Sequence, residues 1–547
     1  MIHVKRAVVL ALACAVLSGL LCGCGQESEQ AELSVCVGPK VETFDPAYVT
    51  EPSDATVVGN LYENLMRLTT TTAGETVLTE GIARSVDVED SYGGTQIYTF
   101  RLRGARWSDG RSLRARDFVY AWRRLADPAV NSPNACLLSM VQGYDEVQAG
   151  GDPSLLAVSA KNDSTLVVTL SGRYEWFLSE VCTAVATSPL RQDVVQNLSE
   201  QAGAAGKWWD DPTRLVTNGP YCVSEYGQEL ELSANEHYYG AAGPGKLHFL
   251  FAHDAENAWQ LYEEEAVDFV SPLPDQRITQ RIDASQGQWA PSPELSAYTV
   301  LFNTNQLPFD DEAVRRAFSL AVNRSALAEL AGVTGQPAPA LVPAGIAGLE
   351  GEDFRAGGGD LLDVSPEGYE DRCAEARDLL RQSSFDERYG YHLEYLYVNE
   401  GPAARIAEAL VQQWSDVLHV TVQPMAISEG EMQAALSSGE YWMAARRYTP
   451  VVDDAEAFLT PFRSEDSRNA CGFSSSAYDT LLAIVEDASD TSARLGCLHD
   501  AEVLLMDSAA VCPLYTASTA WELRDSWSGL IRDSRGWFLF DHMSTAS

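Results

Sequence analysis

Residues 98–128 read YTFRLRGARWSDGRSLRARDFVYAWRRLADP. Between Arg101 and Arg124 lie eight arginines and only two acids, Asp109 and Asp117. The whole chain has the opposite balance, 38 Lys+Arg against 78 Asp+Glu, a net charge of -40. The apolar residues give this passage its structure. Residues 97–103 alternate apolar and polar, which predicts a half-buried strand. Ser108-Asp109-Gly110 predicts a turn. From 115 to 126, Phe118, Val119, Trp122 and Leu125 fall at i, i+1, i+4 and i+7, one apolar face of a helix. Asp117 stands in its first turn, where the helix dipole favours a negative charge, and Asp127-Pro128 ends it. The arginines fall on the polar side of the strand and off the apolar helix face, so they read as a solvated surface balancing an acidic body.

The rest of the composition supports this. A length of 547 residues predicts two to four domains, and 46% hydrophobic content is ample for a core. A charge of -40 argues against nucleic acid, whose phosphates demand a basic face. The N-terminus has Lys5 and Arg6, an apolar run over 7–21, then small and polar residues, the pattern of a secretory signal. Leu21-Cys22-Gly23-Cys24 resembles the bacterial lipoprotein signal, with Cys24 as the lipidated residue. Cys22 does not qualify, because bulky Leu21 precedes it; the alternative is an ordinary signal peptide that contains cysteines. Beyond Cys24 eight cysteines remain, at 36, 136, 182, 222, 373, 471, 497 and 512. An exported chain permits disulfides, but one of this size does not need them, and both outcomes stay open.

Further strands are predicted at 33–39, 218–226, 229–239, 247–253, 297–305, 391–398 and 419–425, and helices at 57–68, 367–382 and 402–417. A further helix opens at 308–312 with Asp310 as its N-cap. The second half therefore alternates strand and helix, an α/β order. No catalytic constellation emerges. GAAGPGKL (240–247) lacks the Ser/Thr of a phosphate-binding loop and precedes a strand, so it reads as a turn. H-E-x-x-H, C-x-x-C and G-x-S-x-G are absent, and His237, His248 and His253 read as strand-surface or packing residues. The expectation is no catalytic residue, no metal and no cofactor.

Several segments in sequence carry a resemblance. They are FDPAYV (44–49), NLYENLMRL (60–68), FRLRGARWSDGRSLRARDFVYAWRRLADP, TNGPYCVSEY with ANEHYYG, VLFNTNQLPFDDEAVRRAFSLAVNRSAL (300–327), LVPAGIAG (341–348) and VCPLY (511–515). Together they resemble the family 5 extracytoplasmic solute-binding proteins of bacterial ABC transporters, over roughly 30–547. The resemblance implies an α/β, two-lobed clamp of the periplasmic-binding-protein type II kind. Its expected division is 1–23 signal peptide, 24–32 tether, 33–66 lobe I, 67–190 a subdomain inserted in lobe I, 191–295 lobe I again, 296–506 lobe II and 507–547 the return to lobe I.

The resemblance further implies a monomer, lipid-anchored outside the cell membrane, that takes a peptide between the lobes and delivers it to a permease and ATPase. Alternatives are a non-peptide solute such as a nickel chelate or sugar, or a surface receptor not coupled to transport. The family's G-W-x-A-D-Y segment, whose Asp holds the peptide amino terminus, is matched poorly by ARRYTPVVDDAEAFL (445–459). Tyr448 takes the aromatic place and Val451 that of the Asp, with Asp453 two residues on as a substitute. Candidate ligand-binding residues are thus Arg446, Arg447, Tyr448, Thr449, Val451 and Asp453, with Arg405 on a helix facing the cleft and Thr50, Glu51 and Asn134 from the first lobe.

Overall fold

In a computed structural model of the chain, the described residues are 31–545 except 71–75, 92–93, 175, 204–205, 286–288, 350–351, 386–391, 451, 467 and 489. The predicted signal and the lipidation residue Cys24 lie outside them, as does the expected ligand residue Val451.

In chain order the strands are β1 (Glu32–Cys36), the hairpin β2 (Met66–Thr70) and β3 (Thr76–Glu80), then β4 (Ala83–Asp90), β5 (Gln96–Leu102), β6 (Val158–Asn162) and β7 (Thr165–Leu170). There follow β8 (Tyr221–Tyr226), β9 (Leu230–Ala234), β10 (Lys246–Phe249) and β11 (Phe269–Val270). The second half holds β12 (Ser292–Phe302), β13 (Gln336–Pro337), β14 (Leu393–Val398), β15 (Val422–Ile427), β16 (Met443–Tyr448), β17 (Val511–Thr519) and β18 (Glu522–Leu523). They form a six-stranded sheet β18-β11-β1-β10-β9-β8, a four-stranded sheet β4-β5-β7-β6, and a second six-stranded sheet β13-β17-β12-β16-β14-β15.

Each six-stranded sheet centres one lobe. The second is covered on both faces. Along β12, Ala297 and Leu301 enter one core while Val300 and Phe302 enter the other, the period-two alternation of a strand buried on both sides. Strands β4–β7 fall inside the span 67–190 and share a core with the first sheet. Strand β17 pairs with β12 from Leu301↔Val511 to Ser292↔Thr519, so the chain stays in the second sheet to Thr519 and rejoins the first at β18.

The opening stretch forms β5 and the helix Ala115–Ala126, with Phe118, Ala121, Trp122 and Leu125 buried. Asp117 does more than face a dipole. Its carboxylate accepts from the Arg114 backbone N–H (2.9 Å) and from Trp107 Nε1 (3.1 Å), joining the turn to the helix. Gly110 has φ +80°, which glycine adopts without strain. Arg101, Arg111 and Arg114 make exposed pairs with Asp87, Asp193 and Asp163, contacts of little worth individually. Arg124 departs from the solvated-face reading. It turns inward and clasps buried Asp45 through two bonds of 3.0 and 2.5 Å, while Trp208 Nε1 donates to the same carboxylate.

Other expectations shift. The helix predicted over 57–68 spans Pro52–Leu61. Proline suits its first position, and at Tyr62 the backbone becomes extended, so Met66 N–H can reach the Cys182 carbonyl (3.0 Å) and start β2. The N-cap expected at Asp310 is Asp311, which accepts from Ala313 N–H (2.9 Å), because a turn holds Asp310 N–H on the Gln306 carbonyl. The strand expected from 419 starts at Val422, since the helix Ala403–Leu418 ends on His419 in the left-handed region. The eight cysteines of the described chain are all free thiols.

Candidate functional site

The arrangement starts from strand direction. β14, β15 and β16 run parallel and end at Val398, Ile427 and Tyr448. The carboxyl ends of parallel strands are where α/β folds leave a crevice. At that edge β16 separates from β14. Their pairing stops at Leu396↔Ala444, while on its other side β16 stays paired with β12 as far as Ala297↔Tyr448. Residues 445–448 therefore present one unpaired strand edge. β12 starts and β17 ends on this same side of the sheet.

On one face of this edge, register places Arg447, Tyr298 and Tyr515 side by side on three strands. The two tyrosine rings stack at 4.5 Å, and the Arg447 guanidinium lies 5.4 Å from the Tyr298 ring. Arg447 also pairs with Glu294 at 3.3 Å. The Arg447 side chain is 44% exposed; the surrounding protein still works against its charge by desolvation, but Tyr298, Glu294 and Glu51 outweigh this and hold the guanidinium above its ordinary pKa. Glu51, from lobe I, thus acts on a lobe II arginine. The structure brings together these two sequence-predicted residues, Glu51 and Arg447.

The other candidates separate. Arg446 is half-buried, and its carbonyl accepts from Thr299 Oγ1 (3.0 Å). Tyr448 turns toward Phe462, ring centroids 5.2 Å apart, and packs against the core of lobe II. Thr50, Thr449 and Arg405 are exposed, the last in the first turn of the helix after β14. Asn134 is buried, and its amide donates to the carbonyls of Ala47 (3.2 Å) and Val49 (2.7 Å), which pins the segment leading to Thr50 and Glu51.

Asp453 lies where the lobes meet. Its N–H donates to Glu180 Oε2 at 3.0 Å, and its carboxylate accepts from Ala347 N–H at 3.3 Å. Beside it Val452 is buried in the core of lobe I. On the lobe I side, Arg535 makes two 2.7 Å bonds to Asp533 and donates to the Glu180 carbonyl and to Thr183 Oγ1, each at 3.1 Å. Burial drives the Glu180 carboxyl up to about 7; Arg535 opposes the rise and Asp533 adds to it. Burial raises Asp453 as well. In lobe II, Arg494 satisfies Asp454 (3.0 and 2.8 Å) and Glu456 (2.7 Å), which fixes the loop that carries Val452 and Asp453. Glu180, Asp533 and Arg535 carried no signal in the sequence, since they belong to none of the matched segments.

A cavity of about 40 Å³ lies within lobe I, lined by Arg67, Tyr62, Trp537 and Asp541 among others. It sits behind the Glu63–Arg67–Asp541 ion network and is not part of the β16 edge. Among the described residues, no group of three or more His, Cys, Asp or Glu is placed to hold a metal ion, and no helix is long and apolar enough to cross a membrane.

Comparison with known proteins gives the following. Residues 78–470 match the model of the bacterial extracellular solute-binding proteins, family 5. The dipeptide-binding protein DppE of Bacillus subtilis is 25% identical over 504 residues, 90% of this chain and 88% of its own. The probable deoxycholate-binding periplasmic protein YgiS of Escherichia coli is 27% identical over 481 residues, 86% and 85%. The structure of the E. coli murein tripeptide binding protein MppA superposes with a TM-score of 0.76 at 24% identity, covering 95% of this chain and 99% of that one. The unliganded open form of the same protein superposes less well, at 0.69.

Proposed function

Since the chain belongs to the bacterial extracellular solute-binding proteins of family 5, we propose that it captures peptides between its lobes and delivers them to the permease of an ABC transporter. The observation that carries the peptide reading is the unpaired edge of β16 over residues 445–448. A peptide laid along it would add a strand, and main-chain hydrogen bonds would give affinity with little demand on side chains. Arg447, Tyr298, Tyr515 and Glu51 border that strand. Val452 and the Glu180–Asp453 bond would form the closing contact between lobes, as in a hinged clamp.

In this reading the protein does no chemistry. Lobe I comprises 33–291, with 67–190 inserted, and the tail after Thr519, a shift from the expected bounds of 295 and 507 supported by the Ser292–Thr519 pairing in the second sheet; lobe II holds the rest. The chain works as a monomer outside the cytoplasm, held to the membrane by lipid on Cys24.

A second reading, a non-peptide solute, is favoured by one observation, the 27% identity to a relative named for deoxycholate. Native mass spectrometry of protein purified without denaturation tests both. A retained ladder of di- to pentapeptides is expected; a single non-peptide mass would overturn the peptide reading.

A further inference from the structure

One residue before Asp533 stands a cation whose needs the fold does not meet. Arg532 sits in a short strand pair, Ile531–Arg532 with Phe538–Leu539, in the tail that returns to lobe I. Its guanidinium lies 5.4 Å from the Trp521 ring. Its Nη2 and Pro52 both flank Gly536: a side-chain carbon there would stand 3.7 Å from Pro52 and 3.9 Å from Nη2. Gly536 thus lies between Arg532 and the helix start that follows Glu51, and Glu294 acts on the Arg532 charge as well as on that of Arg447.

Both Nε and Nη2 of Arg532 are buried without a hydrogen-bond partner, and among the described residues no other arginine has two such nitrogens. The nearby acids are taken, Asp533 by Arg535 and Glu294 by Arg447. In a chain with 78 acids and 38 bases, a half-buried arginine with two buried nitrogens and no carboxylate is conspicuous, because a desolvated, unpaired charge is costly. Burial accordingly pulls its pKa below the ordinary arginine value. Every other buried arginine at the lobe junction, Arg494 and Arg535 included, has its acid.

We propose that Arg532 receives a carboxylate of the bound ligand, forming an anion subsite between the start of the helix Pro52–Leu61 and the crossover that carries Glu294. This rests on the peptide reading above. The carboxylate is either the peptide's own C-terminus or an Asp or Glu side chain. A planar guanidinium with two free donors matches a carboxylate in a paired geometry.

The test uses random tri- and tetrapeptide libraries prepared as free acids and as C-terminal amides, each with and without Asp and Glu. They compete for the purified chain under native mass spectrometry, and the retained peptides are then measured by calorimetry. The wild-type protein is expected to hold carboxylate-bearing peptides about 10- to 100-fold more tightly than their neutral counterparts, the worth of a charge-assisted bond. A preference within the Asp/Glu-free libraries assigns the subsite to the peptide terminus; one confined to the amidated Asp/Glu libraries assigns it to a side chain. Arg532→Met is expected to collapse the ratio toward one and, without ligand, to melt no lower than the wild type, since it removes an unpaired buried charge.

Peptides bound without preference, or a preference that survives Arg532→Met, would overturn the subsite and leave the peptide reading standing. A lower melting temperature with loss of acids and amides alike would mark Arg532 as structural and also overturn it. Failure of every library to bind would overturn both.

Discussion

Replacing Glu180 by glutamine removes one charge from the contact between the lobes and keeps an oxygen for the Asp453 N–H. With the lobes together, Glu180 is buried and its carboxyl sits at about 7 rather than 4.5. Opening the clamp would return it to water and to its ordinary value. A displacement of that size is worth about 3 kcal/mol between the two protonation states. The sign follows from proton uptake. The closed form binds the proton more tightly, so its advantage is full below about 4.5 and is lost as pH rises through 7. Three charged groups face Glu180: Arg535 opposes the rise, as does the Asp453 N–H, while the carboxylates of Asp533 and Asp453 support it.

Between pH 7.5 and pH 5.0, where the charged fraction of a tripeptide's amino terminus changes by less than about twofold, affinity for a bound peptide should therefore increase by about 50-fold. Calorimetric titrations at half-unit intervals measure this directly. Glu180→Gln should flatten the profile and bind at pH 7.5 at least as tightly as the wild type does. A flat wild-type profile would show that closing does not desolvate Glu180. A slope that persists in Glu180→Gln would move the linkage to Asp453, whose carboxyl burial also raises. Either result refutes the reasoning.

Other outcomes follow from single contacts. Arg494→Ala strands the carboxylates of Asp454 and Glu456 and should cost about 3–5 kcal/mol in a denaturant titration. Asn134→Ala leaves the Ala47 and Val49 carbonyls without their amide partner and should cost about 1–3 kcal/mol, read as a lowered melting temperature. Trp122→Ala empties a fully buried site and loses the bond to the Thr187 carbonyl, for about 3–5 kcal/mol by the same assay. Cys24→Ala should move the protein from the membrane fraction to the soluble one; retention in the membrane would refute the lipid anchor.

The sequence was most legible where local chemistry decides the outcome. Phe118, Trp122 and Leu125 mark a helix face by spacing alone, and the alternation through Phe100 marks a strand. Boundaries slipped where a distant segment competes. Leu65 and Met66 fit a helical period, yet they leave the helix because the backbone at 66 has a partner at Cys182. Arg124 looked like surface because its partner Asp45 lies 79 residues away. Of the site, Arg447 and Glu51 were within reach of the matched segments. Glu180 and Asp453 touch across 273 residues, and Arg532 is conspicuous only once the neighbouring acids are seen to be taken. No spacing rule encodes either relation.

The free edge of β16 also bears on solubility. A strand with open N–H and C=O groups is a template for any extended chain, including a second copy of this protein. Identical strands meeting there in antiparallel fashion would bring the adjacent cations Arg446 and Arg447 of one copy close to those of the other. Pro450, two residues past the strand, offers no N–H to extend the pairing. An open clamp thus carries its own safeguard against self-association: the residues bordering the ligand strand also make the protein a poor ligand for itself.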